Sequence, residues 1–293
     1  MMEKLMEKNK MKLSSTSTVS WRPPQGKLLH RVLRSDPTNE YLLYHPTGAS
    51  IDSPLLVVIF GAGRHWKEQV AAFVPGCERL GVTLLSPSMS GSVRAVFRSI
   101  GRQQNRADVL LHDCLSEVSQ LTSIDVTRFR LFGHSSGAQF VHRYVMAHPH
   151  RVKSAAIACA RWYTFPDTSR KFPFGIRSTK RLPDIVFDPE QYLQVRLTIF
   201  NGTSDIETEA SRYSEQINAQ QGINRLERAR RWVAAMNVQA KAHAMKPMIE
   251  LIEIDQVGYL FGPLCRDGRL VQRVFWSLFG ATIDDEVEII QRQ

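Results

Sequence analysis

The residues Gly133-His134-Ser135-Ser136-Gly137 set a serine between two glycines in a G-x-S-x-G pattern. A serine hydroxyl attacks a carbonyl only if a turn exposes it and a base removes its proton. This pattern builds such a turn: the serine sits between a strand and a helix, and the glycines let the two approach closely. Asp205, in Gly202-Thr203-Ser204-Asp205, sits in a second loop 70 residues downstream. The run Gly61-Ala62-Gly63 offers backbone N–H groups with little side chain around them, as an oxyanion site requires. The chemistry these three loops imply is acyl transfer through Ser135.

Each loop needs a strand to position it. Phe129, Leu131 and Phe132 read as the buried end of a strand before Ser135, and Phe140, Val141, Tyr144 and Val145 share one helix face after it. Residues 54–60 form a continuous apolar, β-branched run ending at Gly61, and Val195–Phe200 leads into the Asp205 loop. Further strands are predicted over 28–33, 41–44, 82–86, 154–159 and 249–254, with helices over 66–80, 106–121, 224–245 and 270–278. Strand and helix alternate from residue 54, which predicts an α/β fold: a mostly parallel central sheet with helices on both faces. In such a sheet the reactive loops gather at the carboxyl ends of the strands. Residues 1–20 read as a flexible tail and 21–293 as one domain, with a loop-rich, lid-like excursion over about 160–192. The Arg- and Ser-rich stretch 87–105 has no clear periodicity and is expected to border a pocket.

Composition narrows the function classes. With 293 residues and 43% hydrophobic content, the chain can bury a large core. The four cysteines, Cys77, Cys114, Cys159 and Cys265, lie far apart, so no metal site and no redox dithiol is expected, and the thiols read as reduced and buried. No apolar run reaches membrane-span length, and the Lys/Glu-rich start lacks a signal-peptide pattern, so a cytoplasmic protein is expected. The net charge of +10 is spread along the chain. The densest basic run, Arg225, Arg228, Arg230 and Arg231, is predicted on the solvent side of a helix, and no aromatic-interleaved platform accompanies it. Nucleic acid is therefore not an expected partner.

Read together, GHSSGAQFVHRYVMAHPHRV, WYTFPD at Trp162–Asp167, the Asp205 loop and GINRLERARRW make the chain resemble the α/β-hydrolase superfamily, in particular its bacterial single-domain esterase-like members, over about residues 40–280. The order Ser then Asp is that superfamily's order. The resemblance implies Ser135 as nucleophile, Asp205 as triad acid, and an oxyanion hole from the backbone N–H groups of Ser136 and Ala62 beside Gly61. It implies a small or medium ester or acyl substrate and no cofactor. Trp162, Tyr163 and Phe165 are candidates either for a substrate pocket or for packing.

The triad base departs from that pattern. The loop after the last strand reads Asp255-Gln256-Val257-Gly258-Tyr259, so Tyr259 stands where the superfamily carries histidine, and no histidine follows His243. A neutral imidazole with pKa near 6.5 accepts a seryl proton at neutral pH, whereas a phenol with pKa near 10 still holds its own. His65 and His134 are the replacement candidates nearest in sequence to the site. His142, His148 and His150 read as helix-surface or helix-end residues, and His112 as structural. The sequence predicts a serine hydrolase of esterase type with an atypical or impaired base, or else an inactive relative that keeps the pocket for a ligand or protein partner.

Overall fold

A computed structural model describes residues 22–61, 65–102, 105–180, 182–207 and 215–283. The expected tail over 1–20 and the oxyanion candidate Ala62 lie outside the described residues. Eight strands form the main sheet: β1 (Lys27–Val32), β2 (Glu40–His45), β3 (Leu55–Ile59), β4 (Thr83–Pro87), β5 (Phe129–His134), β6 (Val152–Ala158), β7 (Arg196–Gly202) and β8 (Ile249–Ile254). Their spatial order is β1-β2-β4-β3-β5-β6-β7-β8. β1 pairs antiparallel with β2, and β2 antiparallel with β4, while every pairing from β4 through β8 is parallel.

Alternation along the strands divides the core. Leu55, Val57 and Ile59 of β3, with Leu131, Ala155, Ile157, Leu197 and Ile199, face one layer. Leu56, Val58 and Phe60, with Phe132, Ala156, Ala158 and Phe200, face the other. The first layer is covered by α3 (Ala107–Thr122), α4 (Ser136–Ala147) and α7 (Arg225–Ala242), and the second by α1 (Trp66–Ala71), α2 (Val74–Leu80), α8 (Phe261–Arg266) and α9 (Leu270–Phe279). Sheet residues buried on both sides explain the unbroken apolar run of β3.

The helix expected over 66–80 is two helices. Pro75 has no N–H to continue the ladder and its ring would strike the carbonyl four residues back, so α1 stops at Ala71 and the proline is accommodated in the first turn of α2. The six-residue α8, which the sequence reading did not separate from its loop, follows Tyr259.

The excursion after β6 starts as a tightly fastened segment. Gln221, at the end of α6 (Glu215–Gln221), accepts from the Tyr163 N–H and donates to the Tyr163 carbonyl, both at 3.0 Å. The Trp232 indole donates to the Thr164 carbonyl at 2.6 Å, and Arg143 Nε to Thr164 Oγ1 at 2.9 Å. His142, expected on a helix surface, is fully buried. Its Nδ1–H donates to the Ala138 carbonyl at 2.9 Å and its Nε2 accepts the Thr164 N–H at 3.0 Å, which fixes the neutral tautomer. The ring satisfies a backbone N–H at the seam between α4 and the excursion, a site where a surface residue could not serve. The four cysteines are free, with Cys77, Cys114 and Cys159 buried.

Candidate active site

Parallel pairing brings the carboxyl ends of β3, β5, β7 and β8 to one edge of the sheet, and with them Gly61, Ser135, Asp205 and Tyr259. Ser135 adopts φ 52° and ψ −108°, between β5 and α4. A residue with a side chain is strained at such a φ, at a cost of about 1–3 kcal/mol. The turn is held by its surroundings: Ser135 N–H donates to the Ala158 carbonyl at 2.8 Å. A Cβ at Gly133 would lie 2.6 Å from the Gly137 carbonyl oxygen, and one at Gly137 only 1.9 Å from that of Ile59. Both glycines are therefore required by contact, and α4 presses directly on β3. Ser135 is partly exposed, and its hydroxyl makes no hydrogen bond among the described residues.

Gly61 and Ser136 face each other beside Ser135, since a Cβ at Gly61 would meet Ser136 Cβ at 3.4 Å. Ser136 opens α4, where the first N–H groups have no intrahelical acceptor. A developing oxyanion at this corner meets the positive end of a twelve-residue helix.

The loops that carry Asp205 and Tyr259 are laced together. A Cβ at Gly202 would come within 2.0 Å of the Val257 carbonyl, Ser204 N–H donates to that same carbonyl at 3.0 Å, and Gln256 N–H donates to Thr203 Oγ1 at 3.0 Å. Asp205 is 5% exposed. Its Oδ1 is 3.2 Å from Nη1 of Arg225, the first residue of α7, whose guanidinium carbon lies 3.9 Å from the centroid of the Tyr259 ring. Asp205 thus holds an arginine, and that arginine stacks on the Tyr259 ring. The helical pattern predicts the arginines of α7 largely on the solvent side. Arg230 and Arg231 are exposed, but Arg225 and Arg228 are buried. Arg228 donates to the carbonyls of Gly222, Arg161 and Ile223, which explains how a fully buried guanidinium is tolerated.

No imidazole among the described residues hydrogen-bonds Ser135. His134 turns away from its neighbour: Nε2–H donates to the Tyr259 carbonyl at 2.8 Å, and the ring packs against Phe60 and Phe261. Burial pushes its pKa down to about 4. It props the loop that carries Tyr259. His65 is exposed at the start of α1. His112 bonds the Tyr144 hydroxyl at 2.8 Å, in keeping with a structural role.

Of the pocket candidates, Tyr163 is fully buried and stacks on Trp232 at 5.0 Å between centroids. Trp162 is covered by the Arg228 guanidinium at 3.8 Å, and Phe165 is 7% exposed. These three pack into the fold. The open space beside the elbow is a cavity of about 540 Å³ lined by Gly61, Ser136, Gly91, Arg94, Ala95, Phe97 and Arg98. Of the stretch 87–105, residues within 91–98 border this cavity, and the absence of periodicity gives no means of choosing them from the sequence. Among the described residues no group of His, Cys, Asp or Glu could hold a metal ion, and no helix is long and apolar enough to cross a membrane.

An eight-stranded sheet in which only β2 runs against the other strands, a strained serine elbow after β5 and the Asp205 loop after β7 define the α/β-hydrolase fold. Solved structures agree. The chain superposes on poly(aspartic acid) hydrolase-1 from Sphingomonas sp. KT-1 with TM-score 0.70 and 24% identity, over 86% of this chain and 99% of that one. It superposes on a poly(3-hydroxybutyrate) depolymerase from Bordetella parapertussis with TM-score 0.69 and 23% identity, over 89% and 92%. Esterase 2 of Thermogutta terrifontis matches at TM-score 0.52 and 13% identity, over 87% and 96%. No family model matches the chain, and no curated protein matches it in sequence.

Proposed function

We propose that the protein is a serine hydrolase of esterase type with an impaired base, transferring the acyl group of a small or medium ester to water through Ser135. The carrying observation is the elbow itself: a strained φ of 52° is kept at a residue that bears the nucleophilic hydroxyl. Gly61 and Ser136 supply the corner for the oxyanion, and the named hydrolase, depolymerase and esterase of the same fold support the reaction class. Attack by Ser135 Oγ requires its proton to leave. With Tyr259 in the base's place and Asp205 engaged by Arg225, that proton passes to water or to a weak acceptor. A triad without one member retains about 10³- to 10⁴-fold acceleration over water, and turnover of that order is expected.

The Arg225 contact favours a second reading, an inactive relative that binds a ligand without turning it over. A fluorophosphonate probe and 4-nitrophenyl acetate separate the two. Slow labelling of Ser135 and slow turnover, both lost in Ser135→Ala, are expected of the impaired esterase. Absence of labelling at every pH from 6 to 10 would sink it in favour of the binding protein.

A further inference from the structure

The cavity beside the elbow has a chemical character of its own. Its outer wall is the segment Gly91–Ile100, which follows β4 as two short 3-10 turns, Gly91–Val93 and Phe97–Ser99. Val93, Phe97 and Ile100 are buried and anchor this segment in the core, while Arg94, Ala95 and Arg98 are exposed. A second tie fixes it: the buried Arg143 of α4 donates from Nη1 to the Arg98 carbonyl at 2.5 Å. Two arginines therefore line a cavity whose inner wall is Gly61 and Ser136, and among the described residues no carboxylate lines it. Among the described residues, neither Arg94 nor Arg98 enters an ion pair or donates a side-chain hydrogen bond.

We propose that this cavity is a carboxylate subsite, so that the acyl ligand brought to Ser135 carries a carboxylate at its far end, as the half-ester of a dicarboxylic acid does. The proposal rests on the reading of Ser135 as an acyl site and adds the substrate's charge to it. Guanidinium groups present paired N–H donors that match a carboxylate, and a cleft lined by one sign of charge concentrates the opposite one. A neutral acyl chain gains nothing from the two arginines and, because they are solvated, loses little. Selectivity arises from what the anion gains. The volume of about 540 Å³ admits a short acyl chain with its terminal group.

The test compares monomethyl glutarate with methyl valerate, two esters of the same shape that differ in a carboxylate for a methyl. NMR titrations of the full chain at low salt measure both. The half-ester is expected to bind at least about tenfold tighter, with the advantage shrinking at high salt, as for partly exposed charges. In the doubly substituted Arg94→Gln/Arg98→Gln chain the two esters should bind within twofold of each other, the neutral one unchanged. Both positions are exposed, so the variant is expected to fold as the parent does. Equal affinity in the parent, a preference that survives the double substitution, or no binding of either ester overturns the subsite. If methyl valerate binds and is displaced by labelling of Ser135 while the half-ester shows no preference, the subsite falls and the acyl reading stands. If the arginine-dependent preference is present but a fluorophosphonate adduct on Ser135 leaves the binding of both esters untouched, the acyl reading falls and the anion site stands.

Discussion

At the scale of single residues, the site turns on Tyr259, Arg225 and Asp205. The missing histidine was legible in the sequence because the loop after the last strand has no other place to put it. Tyr259 at that position was legible too, but the arginine against it was not. Arg225 reads as one basic residue among four, and only the fold shows its guanidinium against Asp205 on one side and the Tyr259 ring on the other. The arrangement makes Tyr259→His an informative change. An imidazole there regains a proton acceptor, yet Arg225 still competes for the carboxylate that should orient it. A gain of about 100-fold in kcat/KM for 4-nitrophenyl acetate is expected for Tyr259→His, at the low end of what general base catalysis contributes because Arg225 still holds the carboxylate. A further gain is expected for Tyr259→His/Arg225→Ala, in which Asp205 is released to the new ring. Steady-state kinetics of the two variants against the parent check this, and a double variant no better than the single one would show that Arg225 does not hold the acid away.

At the scale of elements, the elbow was readable because its requirements are local. Glycine spacing and flanking periodicity announced strand, turn and helix, and the structure supplies the contacts behind the glycines. Gly137→Ala would drive a Cβ to 1.9 Å from the Ile59 carbonyl oxygen, a clash with backbone in the sheet centre that no rotamer relieves. A loss of at least about 3 kcal/mol in urea unfolding is expected, at the severe end for a single substitution. Ser136→Ala, one position before, removes a partly exposed hydroxyl and should cost under about 0.5 kcal/mol. The histidine of α4 was misread for the opposite reason. Its role depends on Thr164, 22 positions away, and on the Ala138 carbonyl one turn before it, so nothing in its neighbourhood marks it as buried. Removing the ring in His142→Ala leaves the buried Thr164 N–H without its acceptor and opens space beside Tyr163 and Trp232. About 2–4 kcal/mol of stability should be lost, again by urea unfolding.

At the scale of the whole molecule, parallel pairing gathers what the sequence separates, and it leaves His134 and His142 buried as structural donors and acceptors. Alternating strand and helix patterns foretold the layers, whereas the lining of the cavity, set by an aperiodic segment against the elbow, needed the assembled fold. The buried imidazoles have a consequence for the molecule's response to acid. Burial holds His134 at about pKa 4, with the Tyr259 carbonyl opposing in smaller measure and Arg225 adding to it. Burial, then the Arg143 guanidinium, holds His142 well below its ordinary value, and a proton on Nε2 would face the Thr164 N–H. In the unfolded chain both rings titrate near 6.5. Between pH 6.5 and 4 the unfolded state therefore binds protons that the native state refuses, so stability rises with pH across this window and is lost as pH falls through it. For His134 alone the loss amounts to about 3 kcal/mol by pH 4. Asp108 acts below that window: burial works against its charge, but hydrogen bonds from Arg106 and His148 outweigh it and hold the carboxyl below its usual range, so its contribution fails only under about pH 4. Urea midpoints at pH 7.5, 6.0 and 4.5 should fall steadily. His134→Gln keeps an N–H donor for the Tyr259 carbonyl and cannot be protonated, so the decline from pH 6.0 to 4.5 should be shallower in that variant. An unchanged slope would mean that His134 is not the group that acid attacks.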